Sequence, residues 1–306
     1  MLSRVGATAS ASASASAAQT QPFAFRGAIG RAATVSLYDE LALEPKPGLV
    51  SFVDAGSHVD MHAGTFLRSL FALRHYFAQA AALGAAGASF EALEALGIAA
   101  EARMMRATQG VNTHRGAIFT LGLLCASAAA AQADGAVASA ATVRASLRER
   151  WGDALAQRAR RRTGSNGSRA ACLHGLRAAG DEAALGLPTL FEHVVPALRA
   201  ARASGASDRC AKLHALFVAM AQLDDTNLVH RGGLRGLRDA QALARDFLAD
   251  GGGLRADAIE QAQALHMRFV ARRLSPGGAA DLLAAACWME RIERLATRTR
   301  EAARTP

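Results

Sequence analysis

Residues Leu43–Leu70 read LEPKPGLVSFVDAGSHVDMHAGTFLRSL, a proline-bracketed turn followed by acids and histidines and then by an apolar helix. Outside this segment the chain is rich in alanine, and aromatic residues make up only 5% of it. β-branched residues nowhere gather into an alternating run, whereas apolar residues recur at helical spacing. The pattern predicts an all-α fold, a single compact multi-helix bundle with its functional loops clustered at one end.

The bulk composition limits the classes of partner. The chain has 306 residues and a formal net charge of +9, which suits either a polyanionic ligand or simple solubility. Because the basic residues form no long stripe with interleaved aromatics, we expect no nucleic-acid partner. We also expect no membrane span, on the interpretation that charges interrupt every long apolar run. Four widely spaced cysteines predict reduced thiols in a cytoplasmic protein.

The chain divides by composition near residue 34. Residues 1–34 contain an Ala-Ser repeat and no acid, and we predict a disordered low-complexity extension there. Residues 35–306 then form one all-helical domain. The Gly/Ser-rich segment Thr163–Ser168 predicts a flexible loop rather than a domain boundary, because the apolar pattern is similar on both of its sides.

The first polar loop offers a cation and two acids. Two prolines bracket Lys46, so the lysine loses little conformational freedom when it binds an anion such as phosphate, and Gly48 permits an unusual backbone conformation. Asp54 and Asp60 are candidates for a general base or for Mg²⁺ ligands. A lone histidine such as His58 is more often a hydrogen-bonded structural residue than a ligand.

Two further loops combine caps with cations. The segment GVNTHRG ends in Arg115 and Gly116 at the start of an apolar helix, where free N–H groups bind phosphate. The segment DDTNLVHRGG follows another apolar helix, and we interpret its Asp224–Asp225 pair as acids at the C-terminus of that helix. Negative charge interacts unfavourably with this end of the helix dipole, so a cation or a substrate hydroxyl would have to compensate.

The fourth loop, Ser275–Gly278, predicts a helix start with serine as the cap and paired glycines that open N–H groups to an anion. Asp281 lies about one turn further on. The chain has no P-loop, no dinucleotide-binding glycine motif and no G-x-S-x-G elbow. If the protein binds a nucleotide, it therefore does so on a helical scaffold of its own.

Taken together, PKPGLV, GSHVDM, GVNTHRGAIFTLGLL, DTNLVHRGG and LSPGGAADLL resemble the triphosphoribosyl-dephospho-coenzyme A synthases. These enzymes make the prosthetic-group precursor of malonate decarboxylase and citrate lyase. The resemblance covers residues 35–295, and the forms PGLVSFVD and HRGG look more like the malonate decarboxylase branch. It implies ATP and 3′-dephospho-coenzyme A as substrates, Mg²⁺ as a cofactor, and a product that passes to a phosphoribosyl-dephospho-coenzyme A transferase and an acyl carrier protein.

The implied reaction moves the triphosphoribosyl group of ATP to the 2′-hydroxyl of dephospho-coenzyme A and releases adenine, through a transition state of oxocarbenium character. The catalytic and Mg²⁺ candidates are the three aspartates Asp54, Asp60 and Asp225. The substrate-binding candidates come from the four loops: Lys46, Gly48 and His58; Asn112, Thr113, His114, Arg115 and Gly116; Thr226, Asn227, His230, Arg231, Gly232 and Gly233; and Ser275, Gly277, Gly278 and Asp281.

Two positions depart from the family pattern. His62 stands where the family often carries an acid, and Gly180–Glu182 stand where an arginine often precedes an acid, with Arg177 nearby as a substitute and Glu182 as a weak candidate. Three other activities stay open from the residues: the citrate lyase branch, an all-helical ADP-ribosyl or nucleoside glycohydrolase, and a basic helical module that binds nucleic acid.

Overall fold

The computed structural model describes residues 8–161, 171 and 173–304, with the side chains of residues 25–161, 171 and 173–298. The described residues contain helices and no strand, so the all-α prediction is confirmed. The α-helices are α1 Thr8–Ala42, α2 Ala63–Leu73, α3 Tyr76–Ala85, α4 Phe90–Ala107, α5 Arg115–Ala133, α6 Ala140–Arg160, α7 Ala179–Ala184, α8 Val195–Ala203, α9 Asp208–Gln222, α10 Thr226–Ala249, α11 Ala258–Ala271 and α12 Gly277–Arg304, with a π-helical turn at Thr189–Val194 and a 3-10 turn at Gly252–Leu254.

Helix α1 extends across the predicted domain boundary. It runs from Thr8 to Ala42, and Phe25 and Ile29 are buried in the main core. Residues 25–34 therefore belong to the helical domain, and the predicted start at residue 35 was too late. The compositional signal failed because alanine and serine dominate the sequence, while two large apolar side chains one turn apart are enough to dock the helix.

The last helix, α12, packs against the first. Trp288 is fully buried, and its indole Nε1 donates a hydrogen bond to the carbonyl oxygen of Ile29 at 3.3 Å. Asp39 of α1 accepts a hydrogen bond from Arg291 of α12. This contact brings the end of α1, the first polar loop and the start of α12 to the same side of the core.

Helix α5 is the centre of the core. It packs against α3, α6 and α12, and Ala117–Ala131 are buried almost throughout. By length and apolar composition α5 is the one described helix that could cross a membrane, so the expectation that charges interrupt every such run was wrong; 78% of its apolar window is buried inside the protein. An alanine-rich helix reaches this burial because small side chains let several helices approach it closely.

The remaining local predictions have mixed outcomes. Of the four cysteines, Cys125, Cys210 and Cys287 are free thiols, whereas Cys172 and the predicted flexible loop Thr163–Ser168 lie outside the described residues. His62, which departs from the family pattern, is the N-cap of α2: its Nδ1 accepts a hydrogen bond from Gly64 N at 3.1 Å. A helix cap is thus a sufficient structural reason for histidine at this position.

Candidate active site

Residues from all four polar loops line one cavity of about 1140 Å³. The predicted binding residues on its wall are His58, Asn112, Thr113, His114, Arg115, Gly116, Asp225, Thr226, Asn227, His230, Arg231, Ser275, Gly277, Gly278 and Asp281. The predicted residues outside the lining are Lys46, Gly48, Asp54, Asp60, Gly232 and Gly233. Residues of all four predicted loops thus come together at one cavity, and six of the predicted residues lie outside its lining.

Three helices point their N-termini at this cavity. Gly116 lies in the first turn of α5, Thr226 begins α10 and Gly277 begins α12, and all three residues line the wall. A helix N-terminus carries partial positive charge and unsatisfied N–H groups. Their convergence makes this end of the cavity suitable for an anionic ligand.

Asp225 ties two of these N-termini together. Its Oδ1 accepts a hydrogen bond from Asn227 N at 2.9 Å in α10, and its Oδ2 accepts one from Ala279 N at 3.1 Å in α12. Burial raises the pKa of this carboxyl. Asp225 is therefore the N-cap of α10 and faces the favourable end of the helix dipole, so our interpretation of the Asp224–Asp225 pair as a helix C-terminus was wrong.

Asp281 is packed against the first turn of α5. A Cβ placed on Gly116 would lie 2.0 Å from Asp281 Oδ2, and the carboxyl accepts a hydrogen bond from Ala117 N–H. Burial, followed by the nearby Glu40 and Asp225, raises the pKa of Asp281 well above its ordinary value. Burial and these neighbouring carboxylates thus favour the protonated form of this wall residue.

His58, Arg231 and Ser275 form a chain of hydrogen bonds at the cavity. Arg231 Nη2 lies 2.8 Å from His58 Nδ1, and His58 Nε2 lies 2.9 Å from Ser275 Oγ. Burial and the Arg231 guanidinium lower the pKa of His58 to about 4, so the ring is neutral. Since the guanidinium can only donate, Nδ1 accepts and Nε2–H donates to Ser275 Oγ, which leaves the serine hydroxyl free to donate to a ligand.

Lys46 does not reach the cavity. Its side chain is fully buried, and Nζ donates to Glu40 Oε1 at 2.5 Å and to the Glu40 carbonyl oxygen at 2.6 Å. Burial lowers the pKa of Lys46, and Glu40 opposes that effect. Glu40, which the sequence analysis missed, lies on the cavity wall. The geometry therefore makes Lys46 the counter-charge of a wall carboxylate.

The three aspartates predicted to hold Mg²⁺ are not brought together. Asp54 Oδ2 lies 3.1 Å from His266 Nε2, Asp60 is exposed beside His58, and Asp225 caps two helices. No group of three His, Cys, Asp or Glu side chains able to hold a metal occurs among the described residues. The three aspartates thus belong to separate local networks, and the role of each as a base or as a Mg²⁺ ligand stays a prediction.

His114 lines the cavity and has an unpaired, buried ring nitrogen. Its Nδ1 lies 2.6 Å from Ser69 Oγ, while Nε2 is buried and has no partner among the described residues. Burial, with a smaller contribution from Lys46, lowers the pKa of His114 to about 3. A buried nitrogen without a partner is costly unless a ligand pairs with it, so the His114 ring is a candidate ligand contact.

The glycines of the third loop have packing roles. Gly233 has φ +65° and interrupts α10 with a kink, and a Cβ on Gly232 would lie 2.5 Å from Leu274 Cδ2. Gly48 also meets this segment, since its Cβ would lie 2.0 Å from Leu274 O. These residues hold the loop before Ser275 against α10, which explains why they support the wall without lining it.

The sequence analysis missed several charged residues of the wall. Arg115 bonds to Glu101 of α4, and Arg158 of α6 bonds to Glu94 of α4. These partners lie on helices whose sequences carry no motif, so a helical amphipathic pattern was the only signal for them. The charged wall residues outside the predicted set are Glu40, Glu94, Glu101, Arg158, Arg177, Asp181 and Asp224.

Glu182, a weak candidate for the site, is held by hydrogen bonds to neighbouring residues. It is buried, and its carboxylate accepts hydrogen bonds from Arg177 Nη1 at 2.8 Å and from Thr189 Oγ1 at 3.0 Å. The backbone N–H of Arg177 in turn donates to Asp224 Oδ2 at 3.1 Å. Glu182 thus holds the Arg177 side chain, and the idea that Arg177 substitutes for the expected arginine stays a prediction.

Comparison with known proteins identifies the family. Residues 26–300 match the family model CitG, described as ATP:dephospho-CoA triphosphoribosyl transferase. The chain is 37% identical to a protein of Acinetobacter calcoaceticus over 85% of this chain and 89% of that one, and 41% identical to a protein of Stutzerimonas stutzeri (strain A1501) over 85% and 90%. Both carry the name "Probable 2-(5''-triphosphoribosyl)-3'-dephosphocoenzyme-A synthase". No solved structure matches the chain. The chain therefore belongs to the ATP:dephospho-CoA triphosphoribosyl transferase family of enzymes.

Proposed function

We propose that this enzyme transfers the triphosphoribosyl group of ATP to the 2′-hydroxyl of 3′-dephospho-coenzyme A and releases adenine. The observation that carries the proposal is the convergence of three helix N-termini on one cavity in a member of this family. Such termini bind phosphate groups without further cations. The cavity volume of about 1140 Å³ exceeds the range of about 300–1,000 Å³ common for single small ligands, as expected for two nucleotide substrates.

The triphosphate would bind at the N-termini of α5, α10 and α12. Gly116, Thr226 and Gly277 lie in the first turns of these helices, where the helix dipoles place partial positive charge, and the Arg115 and Arg231 side chains add positive charge on the same wall. The Ser275 hydroxyl, freed by the donation from His58, can donate to a phosphate or ribose oxygen. This anchoring would leave the ribose and adenine to extend toward the wall formed by His114 and α4.

The chemistry requires the C1″–N9 bond to break and adenine to gain a proton. Asp281 supports the role of general acid because burial raises the pKa of this wall carboxyl and so favours its protonated form. His114 Nε2 supports a contact with a hydroxyl or an amino group of the substrates. Asp225, predicted as catalytic, supports the site by joining two N-termini, and any direct part in proton transfer stays a prediction.

Mg²⁺ would accompany the triphosphate. Within the part of the chain that the structure describes, no group of three metal-binding side chains occurs, and proteins usually hold this ion through one or two carboxylates together with substrate phosphates. Asp224 fits that use, since it lines the cavity beside the α10 N-terminus and only its Oδ2 is bonded to Arg177 N. The ion would supply charge neutralisation of the phosphates.

We further propose that the product serves malonate decarboxylase rather than citrate lyase, on the PGLVSFVD and HRGG forms of the sequence. The product would then pass to a phosphoribosyl-dephospho-coenzyme A transferase and to an acyl carrier protein. Free thiols at three described cysteines support a cytoplasmic location.

The test is adenine release from ATP by the purified protein, measured with and without 3′-dephospho-coenzyme A. Transfer requires the acceptor, so release should depend on it and should match the acceptor consumed. Release from ATP alone at the same rate would instead support a nucleoside glycohydrolase. Absence of turnover together with steeply salt-dependent binding to DNA or RNA would support the nucleic-acid module.

A further inference from the structure

The Glu40–Lys46 pair is a buried ion pair at the cavity to which the reaction scheme above gives no role. Glu40 lies in the last turn of α1 and is a lining residue of the cavity, although its side chain is only 6% exposed. Lys46 Nζ lies 2.5 Å from Glu40 Oε1 and is fully buried. Lys46 Nζ donates hydrogen bonds to Oε1 and to the carbonyl oxygen of Glu40, so Oε2 is left for another partner.

This pairing fixes the charge of Glu40. Protonation of the carboxylate would leave a buried ammonium without its counter-charge, which is strongly unfavourable in a protein interior. The same argument makes Glu40 a poor general base, because a base must accept a proton during the reaction. A carboxylate that keeps its charge is instead suited to stabilise a positive charge that develops beside it.

The other carboxylates of the wall are less suited to this role. Both oxygens of Asp225 accept hydrogen bonds from backbone N–H groups of α10 and α12. The Asp281 carboxyl is held by Ala117 N–H, and its neighbouring carboxylates favour its neutral form. Glu40 is thus the wall acid that combines a buried position with a paired cation and an uncommitted oxygen.

We propose that Glu40, held by Lys46, is the fixed negative charge that stabilises the ribosyl group of ATP while adenine leaves. The inference rests on the proposed function. As the C1″–N9 bond breaks, its electron pair goes to adenine, which takes up a proton, and positive charge spreads over C1″ and the ring oxygen. The acceptor oxygen then bonds to C1″ and loses its proton, while Glu40 forms no bond. Glu40 is a catalytic residue in this scheme, and Lys46 is a positioning residue.

The test compares Glu40→Gln, Lys46→Met and the double variant with wild-type enzyme that has been shown to turn over. Each single variant leaves one buried charge unpaired and should lower the melting temperature, whereas the double variant removes both charges and should regain much of it. We expect kcat of the double variant to stay at least about 100-fold below wild type with KM for ATP changed less than about threefold. A double variant that recovers both stability and kcat would show that the pair is only structural and would overturn the proposal.

A second measurement avoids the risk of misfolding. Glu40→Asp keeps a charge for Lys46 but withdraws the carboxylate by one methylene group. We expect it to bind ATP as wild type does and to lose at least about tenfold in affinity for an iminoribitol triphosphate, in which a protonated ring nitrogen mimics the ribosyl cation. Equal losses for both ligands, or no loss for either, would contradict the proposal.

The matched control is the neighbouring exposed pair Glu44–Arg209, which does not line the cavity. Glu44→Gln should leave kcat and the affinity for the cationic analogue unchanged. If wild-type protein released no adenine with both substrates, the proposed function itself would fail. A normal wild type with an unaffected double variant would reject the role of Glu40 alone.

Discussion

Substitution of Gly116 by alanine tests how tightly α5 and α12 meet at the cavity. The three nearest atoms to the new Cβ all belong to Asp281, with Oδ2 at 2.0 Å, Cγ at 3.0 Å and Oδ1 at 3.7 Å. Real contacts of this kind are about 3.4 Å or longer, so the carboxyl or the helix must move by more than about 1 Å. Movement of the carboxyl breaks its hydrogen bond with Ala117 N–H.

Two effects add in this variant. Overpacking costs about 1–3 kcal/mol, and an unsatisfied buried N–H costs about 1–3 kcal/mol, while alanine returns up to about 1 kcal/mol of helix propensity. The net expectation is a loss of about 2–4 kcal/mol in the free energy of unfolding. For a domain of this size that corresponds to a fall of roughly 4–12 °C in melting temperature. Adenine release should fall as well, because Asp281 leaves its place on the wall.

Thermal unfolding of four proteins, wild type, Gly116→Ala, Asp281→Ala and the double variant, measures the coupling. Alanine at 281 removes all three contacting atoms, so Gly116→Ala should cost little in that background. Gly152→Ala is the matched control, since its Cβ would lie 3.5 Å from the nearest atom, Ala184 O, inside α6, and it should be neutral or slightly stabilising. A Gly116→Ala variant that melts and turns over like wild type would refute the close contact between α5 and α12.

Three further predictions concern titration and capping. The pKa of His114 falls from 6.5 to about 3 on folding, so below pH 6.5 the unfolded chain binds a proton that the folded protein does not. Between pH 7 and pH 5 the wild-type protein should therefore lose about 2 kcal/mol more of its free energy of unfolding than His114→Gln does, as measured by urea unfolding. Arg231→Met should raise the pKa of His58 from about 4 in NMR titrations, and an unchanged value would contradict their contact. Asp225→Asn should weaken the α12 cap at Ala279 N–H and reduce ATP affinity, whereas unaltered binding of ATP would argue against anchoring by these N-termini.

The loops could be predicted from sequence because capping residues and glycines mark helix ends locally. Asp224–Asp225 shows the limit of that approach: the apolar pattern of α9 ends at the same place where α10 begins, so an acid there can belong to either helix. The Asx-type start DDTN favours an N-cap, and that signal was available in the sequence.

The partners of the first loop could not be predicted. Lys46 meets Glu40 across a turn, at a separation that corresponds to neither helical nor strand periodicity. Asp54 meets His266 of α11, more than 200 residues later in the chain. Such contacts depend on how whole helices pack, and only local propensity and periodicity are readable from one sequence.

The packing of α1 against α12 determines when the site can exist during synthesis. Glu40 is made early, whereas Ser275 lies just before the last helix and Asp281 lies in its first turns. A nascent chain still lacking α12 has neither the third helix N-terminus nor Trp288, whose indole donates a hydrogen bond to α1, so its α1 has no final partner. Substrate binding therefore requires that the first and last helices are packed together. ATP should protect the completed protein from proteolysis, but it should not protect a chain stalled before Ser275.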